Sequence, residues 1–173
     1  MEETKLSITH RAFVESEHFS YEAYGSSEDA ARKALMTGLK EHAGQMGTAP
    51  EWPEEMMPQA RMCMVGAGGS MFSDFDLETF GLELVAPHEG DVAYRAMTET
   101  RTKDGTWGYV DGLGRDEAEA RAAVEDGLRA MHADNPDGEM RIARGIEETE
   151  VYPVREGSSY RGGLTCNMGE PLA

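Results

Sequence analysis

The sequence predicts an α+β fold made of two copies of a strand-strand-helix-strand unit, because short internal matches recur in the same order along the chain. The matched segments are "YGSSEDAARKALMTGLK" at 24–40 with "LGRDEAEARAAVEDGLR" at 113–129, Arg11-Ala12 with Arg95-Ala96, and "ELVAPHEG" at 83–90 with "EVYPVREG" at 150–157. We interpret them as an internal duplication. The alternative is that two unrelated helices share common residues.

Each copy begins with two predicted strands around a turn. The segments "LSITHRAFVESEHFSYEAYG" at 6–25 and "VAYRAMTETRTKDGTWGYVDGLG" at 92–114 carry threonine, valine and aromatic residues at near-alternating positions. This pattern is typical of half-buried strands. The Asp104-Gly105 pair is a strong signal for a hairpin turn. We therefore expect one hairpin at the start of each copy.

A helix is predicted after each hairpin, over about 27–43 and about 116–132. Ser26 or Ser27 is the expected N-cap of the first helix and Asp116 that of the second, where Glu119 completes a capping box. The small and apolar residues of these helices lie on one face, at 31, 34, 35, 38, 39 and 42 and at 120, 123, 124, 127, 128 and 131. Gly38 and Gly127 occupy the same place on this face. Since a mid-helix glycine costs about 1 kcal/mol relative to alanine, they predict a close approach to a sheet or to the other helix.

The remaining segments define the predicted domain organisation. Strands are expected to close the copies near 61–66 and 82–86 and near 140–153. The predicted units are a first ββαβ repeat at 1–90 with a proline-rich insertion at 44–60, a second ββαβ repeat at 91–157, and a C-terminal tail at 158–173. The tail is predicted to be mobile because it is rich in glycine and serine. Since the junction "PHEGD" is too short for a flexible linker, we expect one pseudo-symmetric domain or two close lobes.

Composition indicates a soluble globular protein and argues against several functions. The 173 residues are 28% charged and 39% hydrophobic, and their formal net charge is -17. Direct binding to nucleic acid or to an anionic membrane is not expected, because both need a basic surface. No apolar run approaches the roughly 18 to 20 residues of a membrane span. The N-terminus "MEETKLSITH" does not resemble a signal peptide, so we expect a cytoplasmic protein.

No motif indicates a catalytic centre, a cofactor or a metal site. The segment "VGAGGSMF" at 65–72 lacks the lysine of a phosphate-binding loop and is interpreted as a turn or hinge. Cys63 and Cys166 lack CxxC spacing and are expected to be free thiols, with Cys63 acting as a small hydrophobe in a strand. The five histidines lack zinc-binding spacing. We therefore expect a protein that is not an enzyme, without catalytic residues, cofactor or metal.

Acidic charge is concentrated in a segment without lysine or arginine, from Met62 through Tyr94. Within it, "SDFDLETF" alternates carboxylates with apolar residues, so that Asp74, Asp76 and Glu78 would share one face of a strand. Side chains two residues apart in a strand are separated by about 6.6 Å, near the spacing of successive phosphates in nucleic acid. The predicted partner-binding residues are Asp74, Asp76, Glu78 and Glu83, with a second row at Glu148 and Glu150 in "GIEETEVY".

These features predict a binding protein whose acidic surface engages a basic partner, in particular the channel of a nucleic-acid-binding complex. In acidity, size and lack of catalytic motifs, the chain is similar to phage- and plasmid-borne inhibitors of restriction or CRISPR complexes. The strand, Gly25, Ser26, Ser27 and "EDAARKAL" pattern also resembles the strand-to-helix corner of HicB-type antitoxins, over about 20 residues in each copy. Neither resemblance supplies site residues.

Three other interpretations stay open. The first is a structural or assembly protein of a phage or bacterium, in which the duplicated fold makes protein contacts and the acidity is incidental. The second is an acidic surface that serves only solubility or adaptation to salt. The third is an enzyme in which Asp74, Asp76 and Glu78 bind a divalent metal together with His88.

Overall fold

Two antiparallel sheets and four helices form the fold in the computed structural model, which describes residues 6–74 and 77–166, with the backbone alone at 73–74, 77–82 and 163–166. The strands are β1 (His10–Glu15), β2 (Phe19–Gly25), β3 (Arg61–Met64), β4 (Ser70–Asp74), β5 (Leu77–Ala86), β6 (Val92–Arg101), β7 (Trp107–Gly114), β8 (Glu150–Arg155) and β9 (Ser159–Cys166). The helices are α1 (Glu28–Met46), α2 (Trp52–Met56), α3 (Glu117–His132) and α4 (Gly138–Glu148), and a 3-10 turn at Met57–Gln59 follows α2.

The strand order confirms the predicted α+β class and relates the two halves of the chain. The first sheet has the order β3-β1-β2-β9-β5 and the second sheet the order β4-β7-β6-β8. β1 pairs with β2 and β3, just as β6 pairs with β7 and β8. The first strand of each half is therefore flanked by its hairpin partner and by the strand that follows the helices. Duplication as the origin of this correspondence stays a prediction.

The two halves exchange their fourth strands. β4 follows β3 along the chain but pairs with β7 in the second sheet, and β9 follows β8 but pairs with β2 in the first sheet. The two crossings are alike, since the Gly68 N–H donates to Leu113 O and the Gly157 N–H donates to Tyr24 O, each over 2.8 Å. The two halves of the described chain therefore do not form separate lobes, because each sheet contains a strand from the other half, β4 in the second sheet and β9 in the first.

Apolar clusters show that the layers are helix, sheet, sheet and helix. The first cluster joins α1 and α2 to one face of the first sheet, and includes Ala12, Val14, Tyr21, Leu35, Leu39 and Met56. Another joins α3 and α4 to the second sheet, and includes Ala96, Val110, Val124, Leu128 and Ile142. The third contains residues of both sheets, namely Ile8, Tyr24, Ala93, Leu113, Val154 and Tyr160. The two sheets therefore pack face to face, with the helices outside.

The predicted helices and their caps are confirmed. The Ser27 side chain accepts a hydrogen bond from the Ala30 N–H over 3.1 Å, and Asp116 accepts one from the Glu119 N–H over 2.8 Å. Glu119 Oε2 accepts from the Arg115 N–H over 2.6 Å, one residue before the cap, whereas a capping box would use the N–H of the cap itself. The turn at Asp104-Gly105 is also present, with Gly105 at a φ of 93°.

The predicted close approach at the two mid-helix glycines is confirmed, and in both cases the neighbour is an exchanged strand. A Cβ atom at Gly38 would lie 2.1 Å from Ser159 Oγ on β9, and one at Gly127 would lie 2.8 Å from Ser70 Oγ on β4. Both distances are shorter than any van der Waals contact. The glycines therefore let each helix pack against the strand that the other half contributes.

Two predictions about the closing strands are wrong. Residues 140–148 belong to α4, whose Ile142 and Gly145 are buried at helical spacing, and only β8 at 150–155 is a strand. The match between 83–90 and 150–157 does not reflect equivalent strands. β8 pairs with β6 as β3 pairs with β1, whereas β5 pairs with β9. The insertion at 44–60 contains the end of α1, α2 and the 3-10 turn, and contacts the first core through Trp52 and Met56.

The prediction of a mobile tail is wrong for residues 158–166. β9 lies between β2 and β5, and Tyr160 and Ser159 are buried. Gly162 and Gly163 weaken the local preference for a strand, but hydrogen bonding to neighbours on both edges outweighs that preference. Residues 167–173 of the predicted tail lie outside the described residues.

Candidate functional site

Four charged side chains meet between the two sheets and form what we term the charge quartet, Arg11, Glu22, Arg95 and Asp111. All four are buried. Arg11 Nε donates to Glu22 Oε2 over 2.7 Å, and Arg95 Nε donates to Asp111 Oδ1 over 2.8 Å. Between the sheets, Arg95 Nη1 lies 2.6 Å from Glu22 Oε1 and Arg11 Nη1 lies 4.0 Å from Asp111 Oδ2. Each positive group therefore contacts both negative groups.

The register of the two hairpins produces the quartet. Glu22 stands opposite Phe13 and Asp111 stands opposite Met97, so each acid is diagonal to the arginine two positions earlier in the neighbouring strand. Strand alternation turns Ala12 and Val14 toward α1 and leaves Arg11 on the face between the sheets. In the sequence, the match of Arg11 with Arg95 indicates only how the two copies align. The corresponding match of Glu22 with Asp111 is the signal in the sequence that points to a pair of buried acids beside these arginines.

Electrostatics keep the two arginines of the quartet charged, although burial opposes this. Burial alone lowers the pKa of the Arg11 and Arg95 guanidinium groups, but the carboxylates of Glu22 and Asp111 outweigh it and raise the pKa of both. The Tyr24 hydroxyl donates to Glu22 Oε2 over 3.2 Å, and burial together with the Glu22 charge raises the pKa of Tyr24. Two positive and two negative charges cancel, so the net charge of -17 resides on the other side chains.

Narrow cavities flank the charge quartet. One, of about 50 Å³, lies against Arg11, Arg95 and Asp111 and is closed by the loop that includes Gly66 and Gly69. The other, of about 20 Å³, lies between Phe13, Tyr21 and Tyr109. Volumes of this size accommodate one or a few water molecules. The glycine segment interpreted as a turn or hinge is thus the crossing from β3 to β4.

The predicted acidic row is divided between the two sheets. Asp74 is the last residue of β4 in the second sheet, and Glu78 lies in β5 of the first sheet. Asp74 and Glu78 therefore belong to different sheets, and the continuity of the predicted strand over 74–78 rests on residues 75–76, which lie outside what the structure describes. Asp76 and the side chains of Asp74 and Glu78 lie outside what the structure describes, so their part in partner binding stays a prediction.

The other three predicted carboxylates are exposed and occupy different elements. Glu83 on β5 accepts from Arg161 Nε over 3.1 Å, and Glu148 at the end of α4 accepts from Arg144 Nε over 3.0 Å. Glu150 begins β8 and accepts a hydrogen bond from the Tyr152 hydroxyl. Burial and this hydrogen bond raise the pKa of Tyr152 to about 12. Glu148 is helical, so the second row is not a strand face, although Glu148 and Glu150 remain neighbours.

Four surface arginines in or beside the helices are paired with glutamates four positions away in the chain. The pairs are Arg32 with Glu28, Arg115 with Glu119, Arg129 with Glu125 and Arg144 with Glu148. Many further carboxylates are exposed, including Glu41, Glu51, Glu54, Glu55, Glu89, Asp91, Asp126, Asp134, Asp137, Glu139 and Glu147. These pairs neutralise the charge of four arginines. The negative excess of the described residues therefore lies on the rest of the surface.

Arg161, in the segment predicted to be mobile, forms a hydrogen-bond network that no sequence motif indicates. Its Nη1 donates to His42 Nδ1 and to Gln45 Oε1, each over 2.9 Å. Because arginine only donates, His42 Nδ1 is the acceptor and Nε2 carries the proton toward the Tyr21 hydroxyl, 2.9 Å away. Burial and the charge of Arg161 lower the pKa of His42. The network therefore joins α1 to β9 and holds His42 neutral.

The described residues bear in two ways on the predictions about metals and thiols. Among the side chains that the structure describes, no three histidine, cysteine or acidic groups are placed to hold a metal ion. His88 Nδ1 instead lies 3.1 Å from Glu156 O. Cys63 is free and half-buried, and burial raises the pKa of its thiol.

No protein-family model matches the chain, and comparisons with curated proteins and with solved structures gave no significant similarity. In the part of the chain that the structure describes, no helix is long and apolar enough to cross a membrane.

Proposed function

We propose that the protein is a non-enzymatic, cytoplasmic binding protein whose acidic surface engages a basic protein partner that normally holds nucleic acid. A restriction or CRISPR-type complex, inhibited by a phage- or plasmid-borne protein, is the partner class that fits best. One observation carries the proposal. The chain has a net charge of -17, the charge quartet is internally neutral and surface arginines are paired with glutamates, so the negative excess of the described residues lies on the outer surface.

Electrostatics supply the reason why such a surface would bind. A protein channel that holds phosphates is lined by lysine and arginine, and an array of carboxylates satisfies the same groups. Attraction between opposite potentials accelerates association, and salt weakens it by screening. The two packed sheets hold the carboxylates on fixed elements, which lowers the entropy lost on binding.

A second candidate function, an assembly protein with incidental acidity, is favoured by a different observation. Three large apolar side chains are exposed on edge strands, with Met64 on β3 79% exposed, Leu84 on β5 51% and Phe72 on β4 37%. Edge strands offer unpaired backbone groups, and exposed apolar residues mark contact surfaces. Binding of this kind would depend on apolar burial and would change little with salt.

Affinity capture with two matched triple variants separates these functions. The first variant, Asp74→Asn, Asp76→Asn and Glu78→Gln, removes three charges from the predicted row. The control, Glu51→Gln, Glu54→Gln and Glu55→Gln, removes three exposed charges in the α2 region. Both proteins and the parent are used to capture partners from nuclease-treated host lysate, and the dissociation constant of each enriched partner is then measured at several salt concentrations.

We expect a basic partner that duplex DNA displaces and that loses affinity steeply with salt. The first variant should bind it about tenfold more weakly, which corresponds to about 1.4 kcal/mol, and the control much less so. Equal affinity of the first variant and the parent at every salt concentration would exclude the row as the binding surface. A partner that neither DNA nor salt displaces would instead support the assembly function.

A further inference from the structure

A groove beside the tip of the β6–β7 hairpin concentrates positive charge on this otherwise acidic protein. It has a volume of about 430 Å³ and lies between α4 and the hairpin, where Arg101, Arg141 and Arg144 converge around Trp107 and Met140. Pockets of about 300 to 1,000 Å³ are typical of small-molecule sites. The groove is therefore large enough for a compact organic ligand.

Two of the three arginines of the groove, Arg101 and Arg141, differ from the paired arginines described above. Arg101 Nε donates to Gly105 O and Arg141 Nη1 donates to Arg101 O, each over 2.9 Å. Neither guanidinium forms an ion pair with a carboxylate of the described residues. Main-chain carbonyls thus fix these groups in position without neutralising their charge, which is the arrangement expected of a preorganised anion site.

Guanidinium donors without an acceptor occur among the described residues that line the groove. Arg141 Nε is buried and has no hydrogen-bond partner among the described residues. A buried donor without an acceptor costs about 1 to 3 kcal/mol. Arg144 Nε donates to Glu148, but its terminal amino groups form no hydrogen bond within the described residues. An oxyanion in the groove would therefore meet the terminal amino groups of Arg144.

The apolar part of the groove indicates a planar group on the same ligand. Trp107 is 38% exposed and Met140 is 67% exposed, although both are large hydrophobic residues. The Arg101 guanidinium carbon lies 5.3 Å above the centre of the Trp107 ring system, a cation–π contact that fixes the indole. An aromatic or heterocyclic ring packs well against an indole and a methionine side chain.

From these observations we infer that the groove is a binding site for a small organic anion, consisting of a planar ring that bears a phosphate or a carboxylate. Three arginines against Glu99 and Glu148 leave the lining with one net positive charge. Charges beyond about 8 Å are largely screened at physiological salt, so the distant acidic surface does not prevent a small anion from binding. A nucleic-acid strand would extend past the groove onto that surface and be repelled.

The test uses Trp107 as a reporter in the full-length protein with Trp52→Phe, which leaves a single tryptophan. Fluorescence and calorimetric titrations are made with AMP, benzoate, adenosine and inorganic phosphate. Arg144→Gln removes a donor of the groove, and Arg129→Gln is the matched control, because Arg129 has the same kind of helical ion pair outside the groove. Circular dichroism shows whether each variant is folded.

We expect saturable binding of AMP or benzoate, at least tenfold weaker in the Arg144→Gln variant and unchanged in the Arg129→Gln variant. Tighter binding of AMP would identify a phosphate ligand, and tighter binding of benzoate a carboxylate ligand. Adenosine and phosphate should each bind at least tenfold more weakly than AMP if AMP is preferred. The inference is overturned if neither AMP nor benzoate binds, if Arg144→Gln binds as well as Arg129→Gln, or if phosphate alone equals AMP.

Discussion

Arg95 and Glu22 are 73 positions apart in the chain, yet their side chains meet between the two sheets with Arg95 Nη1 2.6 Å from Glu22 Oε1. The contact links the second hairpin to the first and belongs to the charge quartet. Replacing a buried ion pair by apolar residues is often neutral in stability, whereas breaking it is costly. We therefore expect the quartet to select one stacking of the sheets, because only that stacking pairs all four charges.

Removing one arginine of the quartet should destabilise the protein strongly. Arg95→Met leaves Glu22 and Asp111 buried with one positive partner fewer, and we expect a loss of about 3 to 5 kcal/mol in the free energy of unfolding. Urea denaturation followed by circular dichroism measures it. Arg129→Met, at an exposed arginine, is the control and should change stability by about 0.5 kcal/mol or less.

The quartet as a whole should be replaceable at a smaller cost than one of its members. A quadruple variant with Arg11→Met, Glu22→Leu, Arg95→Met and Asp111→Leu buries no charge at these positions. We expect it to be more stable than the single Arg95→Met variant. If the quadruple variant were the less stable of the two, the loss in Arg95→Met would come from packing rather than from unpaired charge.

Acidification below neutral pH should reduce stability through His42. Its pKa is lowered in the folded protein and is about 6.5 in the unfolded chain, so the unfolded chain takes up a proton first. The stabilisation is complete above about pH 6.5 and is lost as the pH falls toward the folded value. Denaturation series between pH 7.5 and pH 5 should show a shallower pH dependence for His42→Gln than for the parent. Identical slopes would show that His42 does not titrate between the two states.

A single methyl group should have opposite effects at two glycines of α1. Gly38→Ala places Cβ 2.1 Å from Ser159 Oγ and should destabilise by about 1 to 3 kcal/mol. Gly44→Ala meets nothing within 4 Å and should stabilise by up to about 1 kcal/mol. Thermal or urea unfolding distinguishes the two. Adding Ser159→Gly to Gly38→Ala should recover part of the loss, and no recovery would mean that the clash lies elsewhere.

Truncation after Gly157 should prevent folding, because it removes β9 from between β2 and β5. We expect the shortened chain to lose the cooperative unfolding transition seen for the parent. A synthetic peptide covering residues 158–173, added to the truncated chain, should restore it in proportion to peptide concentration. If the truncated chain folds, β9 is not needed for the fold, and the sequence-based prediction of a mobile tail would be supported instead.

Local signals in the sequence were sufficient for the hairpins, for α1 and α3 and for the close approach of Gly38 and Gly127. Alternation, caps and helical periodicity depend on neighbouring residues and are legible without the tertiary structure. Which sheet β4 and β9 join depends on pairing with residues far away in the chain. Gly162 and Gly163 make the segment of β9 resemble a loop, although β9 is a central strand. The match of 83–90 with 150–157 predicts a strand before 150, where the structure has α4.

The candidate sites were predicted less well, for a related reason. Charged residues are mostly exposed, so Arg11 and Glu22 appeared ordinary until the register placed them between two sheets. The row Asp74, Asp76 and Glu78 assumed a continuous strand, and no periodicity in "SDFDLETF" shows that the chain changes sheets there. Partner binding by Glu83 stays a prediction, and what the sequence does not show is its pair with Arg161, which lies in the segment predicted to be a mobile tail.

The exchanged strands also constrain how the protein is made on the ribosome. Domains generally fold as units in the order of synthesis, with the N-terminal part first. Here the first sheet cannot be completed until β9, at 159–166, has emerged from the ribosome. The edge of β2 therefore lacks its partner strand until nearly the whole chain has been synthesised. Such high contact order slows folding. The nascent first half therefore exposes the open edge of β2 throughout translation. Since chains of like charge repel one another, the acidity of the protein opposes aggregation between neighbouring polypeptides at this stage.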